Sequence, residues 1–164
     1  DYAVAVSSTS KYVTYGGEQV AEIRAGSAPL SSGMAFQQSF TPALEQDVTK
    51  QLNAQLDKCA KTAEFEPEGC PFEYSIYGDE KDYRNPVWSI EKYPTYSVSR
   101  SPFDSGEISF TTTKSGEARL DYQHNEEYDD DEPTDWSDED TTTSISTSGT
   151  VVVSGDKLTV KTGD

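Results

Sequence analysis

Residues 40–70 read FTPALEQDVTKQLNAQLDKCAKTAEFEPEGC, and the interpretation of this stretch governs the rest of the chain. Leu44, Val48, Leu52, Leu56 and Ala60 recur at every fourth position, while Glu45, Gln46, Asp47, Lys50, Asn53, Asp57, Lys58 and Lys61 fill the other side. That spacing predicts an amphipathic helix with one apolar stripe. Thr41-Pro42 places an N-cap residue type before a proline, whose missing N–H costs nothing at the first helical position and whose fixed φ already suits a helix. Glu45 and Asp47 lie near the positive end of the helix dipole, Lys58 and Lys61 near its negative end. From Pro42 to about Lys61 the helix would run about 30 Å.

Cys59 at the end of this helix and Cys70, eleven positions on, are the only cysteines. They lack CxxC spacing, and one distant histidine does not complete a zinc site, so a structural disulfide is expected rather than a metal or redox pair. Closing a loop of that size is worth about 3 kcal/mol in a chain-entropy model. A disulfide implies an oxidising, extracytoplasmic location.

Working outward, residues 1–30 alternate as β, with Tyr2, Val4 and Val6, then Tyr12 to Tyr15 reaching Gly16-Gly17. Residues 26–33 (GSAPLSSG) have linker composition. We therefore expect a β segment over 1–30, the end of an upstream β-module, followed by an α+β domain over 34–164. Alternation directly from Asp1 also suggests a chain that continues upstream. After the helix, a strand is expected from Cys70 with Phe72, Tyr74 and Ile76 on one face, then one from Val87 through Trp88 and Ile90, extended past Pro94 by Tyr96 and Val98. Glu107 to Thr113 and Ala118 to Gln123 read as a hairpin across Lys114-Ser115-Gly116. Thr142 to Val153 and Lys157 to Lys161 read as another, turning at Ser154-Gly155-Asp156. The pattern predicts one long helix lying across a twisted antiparallel sheet.

Thirty acidic against thirteen basic residues in 164 give a net charge of −17, which opposes binding to nucleic acid or anionic lipid. Ten of the acids fall in residues 126–140, EEYDDDEPTDWSDED, so the remainder carries −17 + 10 = −7. An acidic loop over 125–141 is expected, solvated and self-repelling. Asp129, Asp130, Asp131, Asp135, Asp138 and Asp140 are the candidate contacts for a weakly held calcium ion or for a basic partner, although the spacing is not that of an EF-hand. Tyr74, Tyr77, Tyr83, Tyr93 and Tyr96 with Trp88 are candidates to line an aromatic groove for a sugar or peptide, against the plainer expectation that strand aromatics are sheet packing. His124, the only histidine, is expected in an exposed loop at a strand exit. No phosphate-binding glycine loop, HExxH or nucleophile elbow occurs, and no apolar run approaches the roughly 18 residues of a membrane span. No catalytic residue, cofactor or resident metal is expected.

The run ALEQDVTKQLNAQLDKCAKTAEFEPEGCPF at 43–72, the W-S-I-x-x-Y-P-x-Y spacing at 88–96 and KYVTYGGEQV at 11–20 resemble the extracellular C-terminal region of actinobacterial single-pass membrane proteins of the TcaA/YvbJ type. Those proteins carry a cytoplasmic zinc ribbon, one span, and extracellular β and NTF2-like modules. The resemblance covers about the first 100 residues. It implies a helix packed on a curved antiparallel sheet, NTF2-like or cystatin-like. It also implies structural roles for Cys59, Cys70, Pro71, Trp88 and Pro94, and no catalytic residue. On this basis we expect a non-enzymatic, extracytoplasmic domain of a Gram-positive cell-envelope membrane protein, anchored through a segment absent from this chain. Its role would be scaffolding or contact with an envelope protein; the alternative is a small-ligand or glycan-binding NTF2-like domain.

Overall fold

A computed structural model describes residues 2–16, 19–21, 36–100, 106–125 and 135–163. Strands β1 (Tyr2–Val4), β2 (Val13–Gly16), β3 (Gln19–Ala21) and β4 (Gln37–Phe40) precede helix α1 (Pro42–Cys59). A short 3-10 turn (Glu80–Asp82) then leads into β5 (Tyr83–Lys92), β6 (Thr95–Arg100), β7 (Ile108–Lys114), β8 (Gly116–Asn125), β9 (Trp136–Ile145), β10 (Ser148–Ser154) and β11 (Lys157–Thr162). β1 pairs with β3 and β2 with β4, both antiparallel. The remaining strands form a four-stranded sheet, β11-β10-β7-β6, and a three-stranded one, β5-β8-β9.

The molecule is therefore mostly strand, and the expected NTF2-like or cystatin-like arrangement of one long helix on a single twisted sheet is corrected. Three stretches read as continuous strands or hairpins instead pass from one sheet to the other. The run through Trp88 and Tyr96 breaks at Tyr93-Pro94 into β5 and β6, because proline has no N–H to continue the ladder. The expected hairpin across Lys114-Ser115-Gly116 is a corner: β7 pairs with β6 and β10, β8 with β5 and β9. The expected strand from Thr142 to Val153 changes sheet at Ser146-Thr147. There Thr112 and Thr147 are clasped, the Thr112 hydroxyl donating to the Thr147 carbonyl at 2.8 Å while accepting from the Thr147 N–H at 2.9 Å. Only the β10–β11 turn at Ser154-Gly155-Asp156 forms as read, with Ser154 opposite Lys157 and Gly155 at φ 61°.

Helix α1 is divided between two cores. Leu44, Val48 and Leu52 pack with Tyr12, Val13, Tyr96, Phe110, Val151 and Leu158. Leu56 and Cys59 pack with Phe72, Trp88, Ala118, Leu120 and Ile145. A repeat of four residues advances about 40° per step on a helix of 3.6 residues per turn, so the stripe turns by about 120° from Leu44 to Leu56. Its two ends therefore face different sheets. Thr41 stands at the N-cap position but makes no capping bond. Its hydroxyl donates to the Lys11 carbonyl at 2.6 Å and its N–H to the Tyr12 carbonyl at 3.0 Å, which fastens the helix start to the chain before β2.

Cys59 and Cys70 are joined as a disulfide with Cα atoms 5.9 Å apart. The segment from Cys70 to Tyr77 is not a strand, correcting that expectation. Phe72 is nevertheless buried and Tyr74 half-buried, because the bridge and the bond from the Tyr74 N–H to the Phe65 carbonyl (2.9 Å) fold this segment over the second core. Tyr12 and Val13 belong to the first core, and the chain just before them is tied at the surface to the β10–β11 turn: the Ser10 hydroxyl donates to the Gly155 carbonyl (2.7 Å) and the Lys11 N–H to Asp156 Oδ1 (2.9 Å). Residues 26–33, where the domain boundary was placed, lie outside the described residues. No helix among the described residues is long and apolar enough to cross a membrane.

Candidate functional site

Two concave regions flank the three-stranded sheet. The first is built on aromatic rings. Alternation along β8 puts Tyr122 and His124 on the face that also carries the buried Leu120. Tyr83 opens β5 directly opposite His124. Phe65 and Tyr74, held over this face by the bridged loop, complete the cluster. Tyr83 stacks with Tyr122 at 6.0 Å between centroids and lies 4.6 Å from His124. Phe65 stands edge-on to both Tyr83 (6.0 Å) and Tyr122 (5.8 Å). The Tyr74 and Tyr122 hydroxyls share a hydrogen bond of 3.1 Å. Burial, together with that bond, pushes the Tyr122 phenol well above its ordinary range, so it stays neutral. Beside this cluster opens a cleft of about 500 Å³ lined by Glu64, Phe65, Glu66, Ile76, Gly78, Glu80 and Tyr83.

The second region is polar and lies on the opposite face of the same sheet. Here Asp121 is paired with Asp140 and Gln123 with Asp138 across β8 and β9. Gln123 is fixed from both sides: its Oε1 accepts from Arg84 Nε (2.9 Å) and Asn85 Nδ2 (3.0 Å), and its Nε2 donates to Asp138 Oδ1 (2.8 Å). The Arg84 guanidinium lies 3.7 Å over the Trp136 ring. Arg119 reaches Asp121 at 3.0 Å and Asp140 at 3.3 Å, and its guanidinium pKa is raised by those carboxylates. Asn85 has φ 56°, inside a bulge between Arg84 and Val87. Asparagine tolerates that left-handed region better than most residues, and bulges re-aim side chains. The result is a shallow basin of about 470 Å³ with Val87, 59% exposed, on its wall.

No family model, curated protein or solved structure matches this chain.

The residues singled out in the sequence are distributed as follows. Asp138 and Asp140 line the polar basin, and Asp135 is exposed just before β9. Asp129, Asp130 and Asp131 lie outside the described residues. Among the described residues no group of three His, Cys, Asp or Glu side chains could hold a metal ion. The six aromatic candidates do not share one groove. Tyr74 and Tyr83 belong to the aromatic cluster, and Tyr77 is exposed, its carbonyl accepting from the Tyr83 hydroxyl at 3.0 Å. Trp88 is buried in the second core, its Nε1 donating to the Glu64 carbonyl at 2.8 Å. Tyr96 is buried in the first core, and burial pushes its phenol up to about 12. Tyr93 is exposed and donates to Asp57 Oδ1, which raises its own pKa. His124 lies within β8, its ring against Tyr83, rather than in an exposed loop.

Phe65 and Tyr122, and the set Arg84, Asn85 and Gln123, were not singled out in the sequence. The alternation Leu120, Tyr122, His124 was a usable signal for the first group. The second depends on strand register, which no local pattern specifies.

Proposed function

We propose that this chain is a non-enzymatic, extracytoplasmic domain of a cell-envelope membrane protein of the actinobacterial type resembled in residues 43–96. In this proposal it is held at the membrane by a segment outside this chain, and it contacts a basic partner protein through the acidic face of its three-stranded sheet. The observation that carries it is the basin where Asp121, Asp138 and Asp140 sit together beside Val87. Arg84 and Asn85 fix Gln123, which holds Asp138, and Arg119 holds Asp121 and Asp140, so less side-chain entropy remains to be lost on binding. Its charge would steer a basic partner toward it and repel nucleic acid and anionic lipid. The disulfide is of the kind found in oxidising compartments and is weakly consistent with an extracellular site.

The test is capture from envelope fractions by three forms: the whole chain, a form lacking residues 126–134, and an Asp121→Asn/Asp138→Asn/Asp140→Asn variant. One identified envelope protein retained by the whole chain, released by salt and lost in the triple variant is expected. Equal retention by all three forms, or none by any, would sink the proposal.

The planar amides and carboxylates of the same basin also favour a second reading, a glycan-binding surface in which Asn85, Gln123 and Asp138 read hydroxyl groups. Amide shifts at these residues on adding neutral oligosaccharides, with no salt dependence, would select it over the first.

A further inference from the structure

Where the chain turns from β9 into β10, strands β8 and β7 line the inner side of both. On the outer side β11 covers β10, as far as the bond from the Gly163 N–H to the Ser148 carbonyl at 2.9 Å. Along β9 that outer edge has no pairing strand among the described residues. The other three strands bordering the two larger sheets are blunted. β5 carries Pro86 and two register shifts, β6 a shift between Thr95 and Tyr96, and β11 is six residues long with Lys157 and Lys161 on it. β9 keeps an unbroken register against β8 over its ten residues, Trp136 to Ile145, and holds no proline, glycine or basic residue.

We propose that β9 takes an extended basic segment of the partner as an added antiparallel strand, an inference that rests on the acidic-face reading above and specifies how that face is engaged. Alternate residues of an edge strand point their N–H and C=O groups away from their neighbour, so a segment laid along β9 gains main-chain hydrogen bonds whatever its sequence. Charge then chooses among segments. Asp138 and Asp140 rise from one face of β9 and Glu139 from the other, all exposed. Arg119 reaches Asp140 at 3.3 Å, whereas Asp138 is met by the Gln123 amide, which brings no charge. A lysine or arginine on the added strand completes cross-strand pairs with these acids. A second copy of this chain, itself at −17, is repelled, as is any acidic segment. From Thr141 to Ser144 the strand is uncharged, and its threonines are β-branched residues that suit a pairing strand. Past Ile145 the edge runs into a groove of about 390 Å³ between Gly69-Cys70-Pro71 of the bridged loop, the Ser146–Ser148 corner and Thr162-Gly163. Thr162 and Gly163 lie on the outer side of β10, so the groove opens on the side of the free edge and gives the added segment a way in.

The experiment follows amide shifts and amide exchange of the isotope-labelled whole chain with the blocked peptide Thr-Val-Thr-Val-Thr-Lys-Val-Lys. Two further peptides carry N-methyl groups on one or the other set of alternate amides, which removes the backbone donors of one edge at a time. A fourth has both lysines replaced by glutamate. Slowed exchange at alternate residues of 138–145 is expected with the unmodified peptide. Affinity should fall about tenfold for one methylated peptide and not for the other, and the glutamate peptide should not bind. Slow exchange at those amides already in the free chain, no shifts, shifts without slowed exchange, equal affinity of the two methylated peptides, or binding of the glutamate peptide would each overturn the proposal. Envelope capture separates this from the reading it rests on. Capture lost in the aspartate triple variant, with no exchange slowed by the lysine peptide, would overturn strand addition and leave the acidic face standing. Exchange slowed by the lysine peptide, with capture indifferent to the triple variant, would sink the acidic-face reading and uphold the added strand.

Discussion

Gly116 lies hard against Pro94 where the chain twice changes sheet: a Cβ on Gly116 would stand 2.6 Å from Pro94 Cδ, and closer still to the Lys92 carbonyl oxygen. The Tyr93-Pro94 and Ser115 corners thus pass side by side, and only a residue without a side chain leaves room for both. Gly116→Ala is expected to cost about 2–4 kcal/mol through overpacking against backbone, while Ser115→Ala, at an exposed neighbour, should stay within about 0.5 kcal/mol. Urea denaturation of the two variants checks this; equal midpoints would show that the corner relaxes freely.

The Cys59–Cys70 bridge closes a short loop that carries Phe65 onto the second core and fixes the start of the segment that brings Phe72 and Tyr74 there. Replacing both cysteines by serine should lower stability by about 3 kcal/mol. Amide exchange should rise first over residues 60–77, while the first core, which holds Leu44, Val48 and Leu52, keeps its protection. Uniform loss of protection through both cores would show that the bridge is not a local fastening.

Tyr96 is 5% exposed, and its hydroxyl has no hydrogen-bond partner among the described residues. Burying an unpaired hydroxyl is unfavourable, so Tyr96→Phe should stabilise the fold by about 1 kcal/mol. Burial raises the phenol to about 12 in the folded state, above the roughly 10 of an unfolded chain. The contribution from keeping Tyr96 neutral is complete below pH about 10 and is lost as pH rises toward about 12, because only the unfolded chain gains by ionising early. The advantage of the phenylalanine variant should therefore widen across that alkaline window in denaturation midpoints.

Asp47 Oδ2 accepts from Lys11 Nζ at 2.7 Å and from the hydroxyl of the buried Tyr12 at 2.9 Å. Those bonds, Lys11 first, hold its carboxyl below the usual range. A depressed folded pKa stabilises the fold above the unfolded value of about 4 and loses that contribution as pH falls through the folded value. Asp47→Asn should lower the denaturation midpoint at neutral pH and flatten the acid limb below pH about 4. An unchanged acid limb would assign that limb to other carboxylates.

Helix α1 was legible because its determinants are local. Thr41-Pro42, a four-residue apolar repeat and a dipole-matched charge order specify Pro42–Cys59 whatever surrounds them. The Cys59–Cys70 pairing was legible because no other cysteine competes, and the β10–β11 turn because Ser154-Gly155-Asp156 needs only a left-handed glycine. Even the division of the helix between two cores was latent in the sequence, since a strict repeat of four rotates around the helix while a stripe facing one sheet would mix threes and fours.

The sheets were decided elsewhere. Lys114-Ser115-Gly116 and Tyr93-Pro94 have the composition of hairpin turns or bulges. Whether the flanking strands pair with each other or with distant ones depends on contacts such as Thr112 with Thr147 and Gly149 with Phe110. The same holds for both concave regions. Arg84, Gln123 and Asp138 come from three strands and meet only through their register, and Phe65 reaches Tyr83 only once the disulfide has folded its loop back. Local chemistry set the elements of this protein because a helix and a tight turn satisfy their own backbone. A strand cannot, so its partners, and every surface made from several strands, were left to the tertiary structure.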